Sequence, residues 1–381
     1  MSFVWLALIA VVGIAGPLLA VPVRWHLPVV LGELLAGLAV GRSGLQWVDS
    51  GDPAFTLMAQ IGFALLMFVA GTHVPVRDAA LRGAVTRGAL RALAVTVPAV
   101  LAGIAVATAF GVAHAPLYVV LLASSSAAMV LPVIDSLRLT GQSVLELTTQ
   151  VAVADVAAIL ALPLVVDPPN AGRAAVGSVV VSACAALLFF GLRAAERAGR
   201  RRRVHNLSET RKFALELRIQ LALLFALAAL ATFTHVSIML AGFSFGLAVA
   251  GVGEPRRLAR QLFALNDGFL GPLFFVWLGA SLNLRDLVEH PQLILLGLAL
   301  GVGAVLVHAA SVPLGLPAPF SMMAAAQLGV PVAAATIGSQ LGLLVPGEAA
   351  AVILGALVTV LLAVLGAAWS ARRAAAANPP A

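Results

Sequence analysis

Few side chains in this sequence can do chemistry, because most of its long apolar runs carry no ionisable group. Asp155 is the main exception. It lies near the middle of Leu147–Val166, flanked by Val153, Ala154, Val156 and Ala157, with Thr148, Thr149 and Gln150 as its nearest polar companions. An acid in such surroundings is expensive to keep and is a functional candidate by default. A carboxyl group there can hold a proton or a desolvated cation in turn, which is what exchange between the two requires. A packing role is the weaker reading, since an apolar residue would fill the same space at lower cost. His308, between Val307 and Ala309, is the one basic side chain in the middle of an apolar run. A protonated imidazole could pair with Asp155 and leave when an ion arrives, whereas a neutral ring would only bond a neighbouring helix.

Two runs look interrupted. The fifth contains Ser124, Ser125 and Ser126 and then Pro132; the twelfth contains Gln327, Gly329 and Pro331, then Thr336 and Gly338. Unwound carbonyls and hydroxyls at the midplane can coordinate an ion, and interruptions in corresponding places of two halves mark a transporter's binding site. The same polar residues could instead serve as hydrogen-bonding glue between helices. The ion- or proton-binding set expected from sequence is therefore Asp155, Ser124, Ser125, Ser126 and Thr149, with His308 as its charge partner. Of the other acids, Glu33, Asp135 and Asp267 fall at or near segment ends, where solvation is cheap, and Asp135 precedes Arg138 closely enough for a surface ion pair. Gly242–Gly246 matches G-x-S-x-G, but a nucleophile elbow needs a strand–turn–helix setting and this stretch is apolar helix. An intramembrane hydrolase has no evident serine–base pair here.

The elements that position these groups follow from composition. Of 381 residues 61% are apolar and only 10% charged, and the mean hydropathy is +1.06. Soluble domains carry roughly 25% charged residues. Runs such as Leu293–Val307 and Ala349–Ala368 are apolar on every face, unlike the alternating strands of a membrane barrel. The fold class is an all-α polytopic membrane protein of about 13 transmembrane helices. Segments are expected near 3–21, 28–40, 55–71, 90–111, 116–137, 146–166, 174–192, 213–234, 236–252, 264–282, 292–312, 318–342 and 348–369. Met1–Ala20 lacks a basic leader and reads as the first helix.

The net charge of +7 does not point to nucleic acid, because the bases sit between apolar runs. With the C-terminus cytoplasmic and the N-terminus outside, all of the 23 bases except Arg42, Arg173 and Arg285 fall on the cytoplasmic side, as the positive-inside rule requires. The stretch 193–218, with Arg200–Arg203 and Lys212, reads as a linker held to anionic headgroups. The seventh helix leaves six on either side, a parity that gives the halves opposite orientation. One transmembrane domain (1–373) thus comprises a first repeat (1–166), a linker helix (174–192), a basic linker (193–212) and an inverted second repeat (213–373), followed by a short tail (374–381). The expected partners are the bilayer, monovalent cations and protons. No cofactor is expected: Walker, dinucleotide and H-E-x-x-H patterns are missing from the sequence, and a single cysteine, Cys184, offers no thiolate metal site.

Four stretches taken together resemble the monovalent cation:proton antiporters of the second cation:proton antiporter family, the Na+/H+ and K+/H+ exchangers. They are Leu27-Pro-Val-Val-Leu-Gly-Glu-Leu-Leu-Ala-Gly37, Ile61-Gly-Phe-Ala-Leu-Leu-Met-Phe-Val-Ala-Gly71, Ala123-Ser-Ser-Ser-Ala-Ala-Met-Val-Leu131 and Gly271-Pro-Leu-Phe-Phe-Val-Trp-Leu-Gly279. The resemblance implies a core domain beside a panel or dimer domain, with helices four to six and eleven to thirteen in the core and the broken fifth and twelfth crossing beside Asp155. It also implies elevator-like alternating access, a homodimer in the cell membrane, and Asp155 as the essential aspartate. Two departures stand out: Ala154 replaces the polar residue usual before that aspartate, and His308 stands where lysine or arginine is usual. With one acid rather than two, electroneutral one-for-one exchange is expected, for Na+ rather than K+. With the sequence stopping at Ala381, the nucleotide-binding region of some potassium-efflux relatives is not expected here. A sodium-coupled symporter of related fold and a non-transporting scaffold or sensor are the rival expectations.

Overall fold

Every regular element in the computed structural model is helical among the residues it describes: 2–21, 29–74, 79–137, 139–200, 204, 211, 213–234, 236–253, 261–262 and 264–377. In chain order the α-helices are α1 (Phe3–Gly13), α2 (Ala15–Ala20), α3 (Val29–Val40), α4 (Pro53–His73), α5 (Ala79–Ala109), α6 (Ala115–Ala123), α7 (Ala127–Ser136), α8 (Gln142–Val166), α9 (Ala171–Arg197), α10 (Leu215–Phe233), α11 (Ile238–Val252), α12 (Gly271–Ser281), α13 (Leu284–Glu289), α14 (Pro291–His308), α15 (Ala318–Ala324), α16 (Gly329–Gln340) and α17 (Glu348–Ala377). Nine helical stretches among the described residues are long and apolar enough to cross a membrane, and Val29–Val40, Ala115–Leu131 and Ile238–Val252 are shorter apolar ones. Arg24, Arg77, Arg138, Arg201–Arg203, Lys212, Arg256, Arg257 and Arg260 lie outside the described residues, and with them half of the expected basic linker 193–212.

The chain divides into two compact units, each discontinuous in sequence: Met1–Arg77 with Gly172–Leu282, and Asp78–Ala171 with Asn283–Ala381. The first unit is built on small residues. Gly37 on α3 and Gly41 just after it face the backbone of Val276 and Ala280 on α12, and Gly279 faces the Leu34 carbonyl in return. Gly242 and Gly246 on α11 meet the carbonyls of Ala64 and Phe68 on α4 in the same way. In lipid, such small residues one turn apart let backbones approach and gain dispersion contacts that larger side chains would forfeit. Those two glycines account for the G-x-S-x-G match: both are packing residues. Aromatic rings fill the remaining space, with Phe63 stacked on Phe274 at 4.8 Å and Phe68 against Phe245 at 5.1 Å.

One acid in this unit departs from expectation. Glu33 is buried at the fifth position of α3, at 3% exposure, rather than solvated at a segment end. The close approach of α2 and α3 explains it, because a Cβ at Gly16 would stand 2.5 Å from the Glu33 side chain. Asp267 is exposed on a π-helical turn, Asn266–Leu270, where the Asn266 amide donates to it at 2.7 Å.

The second unit contains the segments that the resemblance assigns to the core. Its helices do not all run through. The stretch 115–136 is two half-helices, α6 and α7, parted at Ser124–Ser126, and 318–340 is two, α15 and α16, parted at Ala325–Leu328. By contrast α8, which carries Asp155, runs unbroken from Gln142 to Val166 despite Pro163.

Candidate functional site

The first break is made by hydroxyls. Ser124 donates to the Leu121 carbonyl at 2.9 Å, so it closes the last turn of α6 instead of extending it. Ser125 donates to the Ala324 carbonyl at 2.6 Å, tying this break to the end of α15. Short polar side chains that bond nearby or facing backbone compete with the helical ladder, and three in a row end it. Ser126 is buried and its carbonyl opens α7, accepting from Met129 and Val130 at 3.1 Å each. In the second break the Gln327 backbone N–H donates to Thr359 Oγ1 at 3.1 Å, and Gly329 opens α16.

Asp155 meets the new helix start. Its Oδ2 accepts from the Ala127 backbone N–H, the first residue of α7, at 2.9 Å. The first four N–H groups of a helix lack intrahelical partners and carry the positive end of its dipole, so a carboxylate there is both capped and electrostatically favoured. The residue is 6% exposed, and its other oxygen has no hydrogen-bond partner among the described residues. Ala154 beside it is buried and supplies no ligand.

His308 does not pair with Asp155 directly, contrary to one expectation. Its Nδ1 is 2.8 Å from the Ala304 carbonyl, which can only accept, so Nδ1 carries the hydrogen. Its Nε2 lies 3.3 Å from Ser125 Oγ. The serine hydrogen is committed to Ala324, so Nε2 becomes a donor to Ser125 only when protonated. The end of α14 is fixed by Ser311 and Ser321, which both donate to the His308 carbonyl, at 2.8 and 2.7 Å. The broken helix therefore links the two residues, with Ser125 on His308 and Ala127 on Asp155.

Not every expected site residue joins this cluster. Thr149 is buried, but its hydroxyl bonds the Leu145 carbonyl at 2.7 Å one turn back on α8. Pro132 is not at the break; it lies inside α7, and the serines rather than the proline set the interruption. Pro331 occupies the first turn of α16, where its missing N–H would be unpaired in any case. Gln327 is in the break itself, and its side-chain Nε2 is buried without a partner among the described residues. Gln150, five positions before Asp155, is fully buried, and neither side-chain amide atom is bonded among the described residues. Buried unpaired amides cost about 1–3 kcal/mol each, so both are reserves of polarity within this unit. Thr359 was not foreseen; a lone threonine in Ala349–Ala368 gives little signal.

The family model described as sodium/hydrogen exchanger, transmembrane, matches residues 6–372. The chain belongs to this family. Members are transporters, and this one is a multi-pass membrane protein. It is 24% identical, over 93% of its length, to YjbQ of Bacillus subtilis (strain 168), provisionally named an Na+/H+ antiporter. It is 28% identical, over 80% of its length, to the glutathione-regulated potassium-efflux protein KefC of Salmonella newport (strain SL254). The chain spans 60% and 50% of the length of these two curated relatives. Its fold matches that of the sodium proton antiporter MjNhaP1 of Methanocaldococcus jannaschii, with a TM-score of 0.66 over 97% of each chain at 18% identity.

Proposed function

We propose that this exchanger-family chain moves a monovalent cation, Na+ in preference to K+, against H+, with Asp155 holding each in turn. The observation that carries this is the state of the buried Asp155 carboxylate: one oxygen is held at the start of α7 at 2.9 Å and the other makes no hydrogen bond among the described residues. A proton or a cation neutralises that carboxylate equally well, whereas an empty charged carboxylate resists transfer through lipid. Coupling follows, because only the two loaded forms cross. Both loaded forms carry the same charge, Ala154 adding none, so exchange is one-for-one and electroneutral.

The remaining expectations belong to the same proposal. The unit bearing Asp155 carries the ion in an elevator-like cycle. The halves are inverted repeats, the protein is a homodimer, and the N-terminus is outside with the C-terminus cytoplasmic. Na+ is preferred because YjbQ and MjNhaP1 are both named for it, while KefC is named for potassium. Proteoliposomes loaded with a pH dye test the proposal. Addition of Na+ or Li+ should drive proton movement more strongly than K+, at a rate unchanged by an imposed voltage, and Asp155→Asn should abolish it. Solute uptake without proton movement would favour a symporter, and voltage-driven flux would contradict one-for-one exchange.

A further inference from the structure

Outside the ion site, the second unit buries a second group of charges. The Arg91 side chain, on α5, is 5% exposed and donates through Nη2 to Glu146 Oε2 at 2.8 Å. The same guanidinium reaches the Leu314 carbonyl, from Nη2 at 2.8 Å and from Nε at 3.2 Å. Glu146 also accepts from Gln142 at 3.3 Å and faces the exposed Arg87 at 3.5 Å. The turn that presents the Leu314 carbonyl needs Gly315, whose φ of +88° is open only to glycine at low cost, and a Cβ there would lie 3.6 Å from Nη2.

Stability alone does not explain this arrangement. Buried ion pairs cost so much desolvation that an apolar pair of similar volume is often equally stable, and here Arg91 Nη1 is buried without a partner among the described residues. What the guanidinium does provide is a fixed distance between two stretches of chain. Glu146 stands on the same unbroken helix as Asp155. Leu314 follows His308 by six positions and leads into α15, whose last carbonyl holds Ser125. The Ser125–Ala127 break bridges the two, held by Asp155 on α8 and by His308 and Ala324 on that stretch, so a slide of α8 past the stretch would strain or break this chain of contacts.

Resting on the exchange proposal, we infer that Arg91 is a positioning residue for cation binding, fixing the Asp155 helix in register with the His308–Ala324 stretch through Glu146 and the Leu314 carbonyl. The full chain in proteoliposomes tests it, with the KM for Na+ and the maximal rate per folded protein measured separately. The double variant Arg91→Met with Glu146→Leu keeps the volume and removes both charges. It should melt close to the parent yet show a KM raised about tenfold or more, since misplacement by about 1 Å costs up to a hundredfold. Arg91→Lys keeps the charge but cannot fork between carboxylate and carbonyl, so its KM should rise by less than that of the double variant. If the double variant fails to fold, Arg91→Lys decides alone. An unchanged KM in the folded double variant, or in Arg91→Lys where it alone can be measured, overturns the inference while leaving the antiporter standing. No exchange in the parent itself would instead remove the antiporter proposal and this inference with it.

Discussion

Both compact units pack glycine against facing backbone, Gly297 and Gly301 on α14 meeting the Ala351 and Gly355 carbonyls of α17 in the second as Gly279 meets Leu34 in the first, but the second adds a set of polar contacts between helices. In the first, aromatic rings such as Phe63 and Phe274 fill the gaps. In the second, the contacts that define the site are polar: Asp155 on Ala127, Ser125 on Ala324, Gln327 on Thr359, Arg91 on Glu146. A further example lies at the start of α17, where buried Glu348 accepts from Tyr118 at 2.7 Å and the Val345 N–H at 2.9 Å and lies 2.8 Å from His114 Nδ1. Dispersion between close backbones has a narrow minimum and tolerates no intruding atom. Hydrogen bonds within a bilayer are individually weak, averaging about 0.6 kcal/mol, and can be exchanged for bonds to an ion. The glycine contacts of both units therefore keep one arrangement, and the polar set of the second can accept a ligand.

That contrast can be broken in order of expected damage to stability. Gly279→Leu should do most harm, because its side chain would enter the Leu34 carbonyl and force α3 from α12. Overpacking of this kind costs about 3 kcal/mol or more, and size-exclusion in detergent should show loss of monodisperse protein. Glu348→Ala should cost about 2 kcal/mol, since it strands the Tyr118 hydroxyl and the Val345 N–H. A thermal melt should fall while the KM for Na+ stays within about twofold, as the cluster lies apart from the Asp155 hydrogen bonds. Ser125→Ala should lower stability least, by about 1 kcal/mol, yet raise the KM several-fold by releasing both Ala324 and His308. If Ser125→Ala instead altered the melt and left the KM unchanged, the polar contacts of the second unit would be glue and not a site.

How much of this was legible in sequence depended on the kind of signal. Apolar runs located the helices because length and hydropathy decide what crosses a bilayer. The breaks were legible as Ser124–Ser126 and Gln327 because polar residues in a spanning run are rare. Their exact cause was not, and Pro132 misled because a proline can sit inside a helix at the loss of one bond. Glu33 misled for a different reason. Its position near a run's start suggested solvation, whereas the partner that buries it, Gly16, lies on another helix. In sequence Arg91 is only one of many bases on the expected cytoplasmic side, since charge asymmetry cannot tell a lipid-facing arginine from one folded inward onto Glu146. Asp155 was legible as a lone acid; its bond to Ala127 required the fold.

The most direct test of the central claim measures proton release from purified protein when Na+ binds, with a pH-sensitive dye in weakly buffered detergent solution. One carboxylate shared by ion and proton should release up to about one proton per chain as Na+ saturates the parent, the binding of a cation to a protonated ligand being coupled to proton loss. Asp155→Asn should release none. Undiminished release from that variant would contradict the account.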